Sequence, residues 1–190
     1  MTGCARVPVP GGQVVLSMQS EFPRVGYARL TIDAGDLPAG TPLALDLRVP
    51  GYAEHFAVLP GGDPTRMLTG VPGTYLRIAD TVSDGDEFII SLDYSPIRHA
   101  APHGSDRAGD GFVAFTYGPI LLARDSRDCA DPLAPVPDAG IGDWRVELPE
   151  RPGLLTAHLQ VGGETLTLVD YMSAGSDWDG GSFASWLPIR

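Results

Sequence analysis

The sequence predicts an all-β protein, built as two small antiparallel β-sandwiches in tandem or, as the alternative, one larger sandwich. Three observations carry this. Apolar and polar residues alternate in run after run, the pattern of strands with one buried and one solvated face. The 190 residues include 24 Gly and 18 Pro, yet 43% are hydrophobic and only 19% charged, too apolar a mixture for a disordered chain. The Gly and Pro therefore punctuate many short elements. No long segment follows the helical period, and Asp far outnumbers Glu, which favours turns over helices.

Residues 14–19 open the series as a strand. In Tyr27 to Asp33, Ala28, Leu30 and Ile32 share one face. Leu43, Leu45, Leu47 and Val49 point inward from the next run, with Ala44, Asp46 and Arg48 outward. Runs at 56–59, 75–78 and 88–94 follow, the last setting Phe88, Ile90, Leu92 and Tyr94 on one side. Breakers separate them at 34–36, 60–64, 71–73 and 83–86. The segment 99–111 has no apolar period and reads as a linker or long loop, possible ground for a metal site formed by His99, His103, Asp106 or Asp110. Strands resume at 112–117, 120–123, 144–148, 154–161 and 164–171, interrupted by a Pro- and Asp-rich segment, 124–142, that reads as exposed and mobile. The implied organisation is a first sandwich over 1–98, a linker over 99–111 and a second sandwich over 112–190.

The formal charge is −11 and lysine is absent. Nucleic acids and anionic membranes require basic patches, so neither is an expected partner. Lysine's absence also removes Walker loops and Schiff-base chemistry. Cys4 and Cys129 are too few for a disulfide framework or a four-ligand zinc site, and Cys4 falls in what reads as a mobile N-terminus. No residue set calls for a cofactor. The first residues lack the apolar core of a signal peptide, so a cytoplasmic location is expected.

Several motifs in order resemble a known family. Leu47-Arg48-Val49-Pro50-Gly51-Tyr52-Ala53, Gly73-Thr74-Tyr75-Leu76-Arg77-Ile78, Asp84-Gly85-Asp86 with Ile90-Ser91-Leu92, and Ile97-Arg98 resemble the middle β-domain of glycoside hydrolase family 127, the β-L-arabinofuranosidase family. Val113 to Leu122, Val169-Asp170-Tyr171 and Phe183 to Pro188 resemble its C-terminal β-domain. Tyr52 replaces the family's Trp, and Tyr117 its Arg before Gly-Pro. The resemblance implies two accessory sandwiches beside an (α/α)6 barrel. The family's catalytic Glu and zinc-held Cys lie in that barrel, and no residue here matches them. The partners it implies are such a barrel, or a second copy through a sandwich surface.

The segment Gly175 to Gly181 is the candidate binding site. Trp178 on a Gly-flanked loop could stack on a sugar while Asp177 and Asp179 accept its hydroxyl hydrogen bonds; the plainer reading is that it plugs the sandwich end or meets the barrel, and the two acids could hold calcium. This is the basis of an alternative reading, an independent carbohydrate-binding module with oligosaccharide as partner. Ser173 lacks the Gly pair of a nucleophile elbow, because Tyr171 fills one position. His55 and His158 read as solitary strand-face residues. Trp144, Trp186, Tyr75 and Tyr117 read as core. Asp84-Gly85-Asp86 reads as a hairpin turn, with calcium as a minor alternative.

Overall fold

The computed structural model describes residues 2–101, 111–149, 152–175 and 180–190. Among the described residues the long regular elements are all β-strands, with a short 3-10 turn at Pro64–Arg66. The chain divides into two compact units, Met1–Tyr94 and Ser95–Arg190.

The first unit contains β1 (Thr2–Val9), β2 (Gly12–Ser20), β3 (Tyr27–Asp33), β4 (Thr41–Arg48), β5 (His55–Pro60), β6 (Leu68–Thr69), β7 (Tyr75–Val82) and β8 (Glu87–Asp93). Six of them form a sheet in the order β1-β2-β3-β8-β5-β6, and β4 pairs with β7. Every pairing is antiparallel. Register places the expected apolar faces together. Ala28 opposes Ile90, Leu30 opposes Phe88, and Phe56 opposes Leu92, all of them buried. Leu45, Val49, Ile78 and Val82 are buried from the smaller sheet's side. Between the sheets an apolar cleft of about 210 Å³ remains, lined from one side by Met18, Phe56, Ile90 and Leu92 and from the other by Leu47 and Pro50.

The N-terminus departs from expectation. Residues 2–9 form a strand paired along its whole length with β2, so Cys4 lies on a strand, exposed, and both cysteines are free. A short run of small and β-branched residues ending in Pro-Gly carries too few large apolar side chains to announce itself; the hairpin with β2 supplies what periodicity does not.

The second unit contains β9 (Pro96–Ala100), β10 (Phe112–Tyr117), β11 (Ile120–Asp125), β12 (Ile141–Glu147), β13 (Thr156–Val161), β14 (Glu164–Asp170), β15 (Phe183–Ala184) and β16 (Leu187–Pro188). The main order is β12-β13-β14-β11-β10-β16, with β9 also on β10 and β15 also on β11. One core joins Val113, Phe115, Leu122, Val136, Leu155, Leu159, Leu166, Leu168 and Leu187.

Two sequence expectations are corrected here. Ile97, Arg98 and His99, assigned to the end of the first sandwich and the start of a linker, pair with Thr116, Phe115 and Ala114 in the second unit's sheet. The segment 124–142, expected to be exposed and mobile, is tied down at Val136. That side chain is fully buried, and its backbone pairs with the C-terminal strand: its amide donates to Pro188 O at 2.8 Å, and Arg190 N donates to Val136 O at 3.0 Å. A single valine between prolines gives no period, so only tertiary packing reveals it.

Gly26 shows how closely β3 is entered. A Cβ there would lie 1.7 Å from the carbonyl oxygen of Leu92, whose amide donates to Gly26 O at 2.8 Å. Because the clashing atom is backbone, Gly26→Ala should destabilise the first unit by about 3 kcal/mol, the upper end for overpacking. Urea unfolding of the purified variant measures this; a change within experimental error would contradict the close approach.

Candidate functional site

The segment singled out for sugar contact, Trp178 with Asp177 and Asp179, lies outside the described residues, as do His103, Asp106 and Asp110. The platform that leads into it is described in full. β11 and β14 run antiparallel, with Leu122 opposite Asp170 and Ala123 opposite Val169. Each strand ends in an aspartate that is buried: Asp125 is 2% exposed and Asp170 1%. Buried carboxylates are costly unless fully hydrogen-bonded, and both of these are.

Asp170 gathers two loops. Its Oδ2 accepts from the amides of Leu154 at 2.8 Å and Leu155 at 3.4 Å, and from Ser173 Oγ at 2.7 Å. Its Oδ1 accepts from Ser173 N at 3.0 Å. Asp125 gathers a third segment. Arg127 donates to it from its amide and Nε at 2.9 Å and from Nη2 at 2.5 Å, and Gly175 N donates to Oδ2 at 2.9 Å. The same Arg127 Nη2 reaches Ser173 O at 3.0 Å, joining the two aspartates into one network. The guanidinium of Arg127 holds the Asp125 carboxyl well below the usual carboxylate range, with the amides of Arg127 and Gly175 adding to the effect.

Glycine completes the packing. A Cβ on Gly175, whose φ is +65°, would stand 2.6 Å from the ring of Phe183, and one on Gly153 would stand 2.9 Å from Ser173 Oγ. Around this network sit Leu154, Tyr171, Met172 and Phe183, all exposed, Met172 by 84%. Tyr171 and Phe183 meet edge to face at 5.6 Å. The platform thus presents apolar side chains to solvent from loops whose backbones are fixed from beneath.

Ser173 is accounted for by this network: its hydroxyl donates to Asp170, and no histidine is among its described partners. Cys129 is partly buried, its thiol pushed up by burial. His99 meets Thr116 Oγ1 at 2.9 Å. Among the described residues no group of three His, Cys, Asp or Glu could hold a metal ion. Asp84 acts as a turn residue, accepting from the amides of Ala34 and Gly35 at 2.9 and 3.3 Å, next to Gly85 at φ +78°.

Several expectations are corrected. His158 is not solitary: it meets Thr167 Oγ1 at 3.1 Å and Glu147 Oε1 at 2.9 Å. Trp144, Trp186 and Tyr75, expected in the core, are 41%, 43% and 69% exposed. Tyr75 is covered on its face by the Arg48 guanidinium, 5.4 Å from the ring centre; Trp144 rests against Tyr117, with ring centres 5.5 Å apart. Asp125, Arg127 and Asp170 were not anticipated as a unit. The available signals were Asp-x-Arg and Asp-x-x-Ser at the ends of two apolar strands, both local turn patterns.

The comparisons with known proteins agree with this architecture. Residues 4–94 match the family described as beta-L-arabinofuranosidase, GH127 middle domain. Three solved structures are similar over essentially the whole chain: a glycoside hydrolase (19% identity, TM-score 0.74, covering 100% of this chain and 34% of that one); a GH127 beta-arabinofuranosidase (21%, 0.73, 100% and 34%); and Ara127N, a GH127 beta-L-arabinofuranosidase from Geobacillus stearothermophilus T6 (19%, 0.70, 98% and 32%). The chain spans about a third of their length, and it resembles a non-barrel portion of glycoside hydrolase family 127 enzymes. No curated protein matches it.

Two expectations follow for the platform. Asp170→Ala leaves two backbone amides and the Ser173 hydroxyl and amide without their acceptor, and should cost about 3 kcal/mol by denaturant unfolding. For Asp125 the folded pKa is depressed, so its contribution is complete above the unfolded carboxylate value, about 4, and is lost as pH falls through the folded value. Stability of the second unit should therefore decline below about pH 4, and this part of the decline should vanish in Asp125→Asn. A parallel pH profile in that variant would contradict the assignment.

Proposed function

We propose that the chain is an accessory, non-catalytic β-sandwich region of a β-L-arabinofuranosidase-type glycoside hydrolase. In this reading it braces or completes the catalytic (α/α)6 barrel that the family resemblance implies. The single observation that carries it is the middle-domain match over residues 4–94, continued through the second unit by whole-chain likeness of fold. The platform supports it too. An exposed apolar group built from Leu154, Tyr171, Met172 and Phe183 is the kind of surface that marks a contact with another protein body, and the Asp125 and Asp170 networks hold its backbone in place before contact. Preorganisation of this sort lowers the ordering cost of association. The partner is a helical catalytic barrel or a second copy of the chain, and the setting is cytoplasmic.

The alternative, an independent carbohydrate-binding module, draws on Trp178 between Asp177 and Asp179. It differs in one respect that can be measured: it needs no barrel.

The purified chain should associate saturably with separately produced barrels of family 127 arabinofuranosidases, measured by calorimetry. Met172→Asp should weaken this on the order of tenfold, as expected for a central interface residue, with the thermal melt unchanged. Barrels that do not associate, or association indifferent to Met172→Asp, would contradict the reading. Oligosaccharide binding by the chain alone, abolished in Trp178→Ala, would favour the module instead.

A further inference from the structure

The solvent face of β12, β13 and β14 holds a second feature, separate from the platform. A depression of about 260 Å³ is bordered by Asp143, Trp144, Arg145, His158, Gln160 and Thr165. Its floor follows from register. Arg145 opposes His158, His158 opposes Thr167, and Gln160 opposes Thr165. These residues alternate with Ala157, Leu159, Leu166 and Leu168, which are buried in the core, so the polar set faces solvent.

The rim has a different origin. Between Ile141 and Trp144 the register of β12 against β13 shifts by one residue, a bulge on the terminal strand of the sheet. Bulges re-aim side chains at sheet edges. Beyond the bulge alternation resumes, with Trp144 opposite the buried Leu159 and Arg145 opposite His158, so that Asp143 at the bulge and Arg145 supply the charged rim of the depression. Trp144 stays 41% exposed, steadied against Tyr117.

Floor and rim differ in how their hydrogen-bonding capacity is used. The floor is prearranged: Gln160 Nε2 donates to Thr165 Oγ1 at 2.7 Å, and His158 is held between Thr167 and Glu147. The rim is open. Arg145 has an ion-pair contact with Glu147 at 4.0 Å and a side chain 71% exposed, and Asp143 is exposed at the bulge. A simple anion would face the carboxylates of Asp143 and Glu147; a metal cation would face the guanidinium of Arg145. A neutral polyol suits both, because each hydroxyl donates and accepts. The volume falls just below that of pockets for drug-sized ligands, about 300–1,000 Å³, a size suited to one sugar ring.

We propose that this depression is a saccharide subsite for a single pentose or hexose residue. Neighbouring hydroxyls bridge the Asp143 carboxylate and the Arg145 guanidinium, and the Gln160 amide meets a third hydroxyl from the floor. The choice of sugars to test rests on the proposed place beside an arabinofuranosidase; the site itself rests on the bulge and its side chains.

The test is an NMR titration of the full chain with L-arabinose, D-galactose and D-xylose, free and as oligosaccharides. Saturable shifts are expected at the amides of Asp143, Trp144, Arg145 and Gln160. Asp143→Ala and Arg145→Ala should each weaken binding roughly tenfold, the loss of a charged hydrogen bond, and Trp178→Ala should leave it unchanged. Both altered side chains are exposed on a terminal strand, and a thermal melt confirms their fold. Absence of saturable shifts, or binding that survives both substitutions, overturns the subsite. Binding lost only in Trp178→Ala also overturns it and assigns the sugar to the 177–179 segment. Barrel association and its loss in Met172→Asp report on the accessory reading alone, so the two can fail separately.

Discussion

The burial of two carboxylates at the ends of adjacent strands governs one whole end of the second unit. Asp125 and Asp170 are removed from water, and an ionised carboxylate in that position must be surrounded by donors or it unfolds its own site. The donors here are mostly backbone amides of loops: 154 and 155 from one segment, 173 and 175 from another. The need of the carboxylates thus dictates the course of the loops. Each loop must bend so that its N–H groups converge, and the glycines at 153 and 175 sit where a side chain would strike Ser173 or Phe183. A polar requirement inside the fold fixes an apolar surface outside it.

The strands of both units could largely be read from the sequence, because each buries one face and so imposes a period of two. β3 and β8 are clear cases, with Ala28, Leu30, Ile32, Phe88, Ile90 and Leu92 buried as the alternation required. What could not be read falls into three physical kinds. β1, β9 and the short strands β15 and β16 owe their structure to pairing partners and lack large apolar residues on a regular period. Val136 is buried alone, between prolines, so its burial carries no local pattern. The aromatic residues Trp144, Trp186 and Tyr75 were expected inside because large rings usually are; they are kept half-exposed by partners such as Tyr117 and Arg48 that hydrophobicity does not reveal.

The functional features were harder still. The carboxylate network joins positions about fifty residues apart, and its members look in sequence like ordinary turn aspartates. The depression on β12–β14 depends on a bulge, one extra residue that alternation cannot show in advance. The segment around Trp178, by contrast, stands out from sequence alone through its composition. Residues 4–94 match the GH127 middle-domain family, and the whole chain resembles in fold a non-barrel portion of family 127 enzymes.

The account stands on the claim that Asp125 and Asp170 fix the loops that present this surface. Amide hydrogen exchange tests it directly in the unaltered protein. The amides of Leu154, Leu155, Ser173 and Gly175 should be protected to an extent comparable with the core amides of β13 and β14, although they lie in loops, since their exchange requires the carboxylates to lose their donors. Exchange at these four amides as fast as at exposed turn amides such as Gly163 would show that the carboxylates do not hold the loops, and the platform would lose its basis.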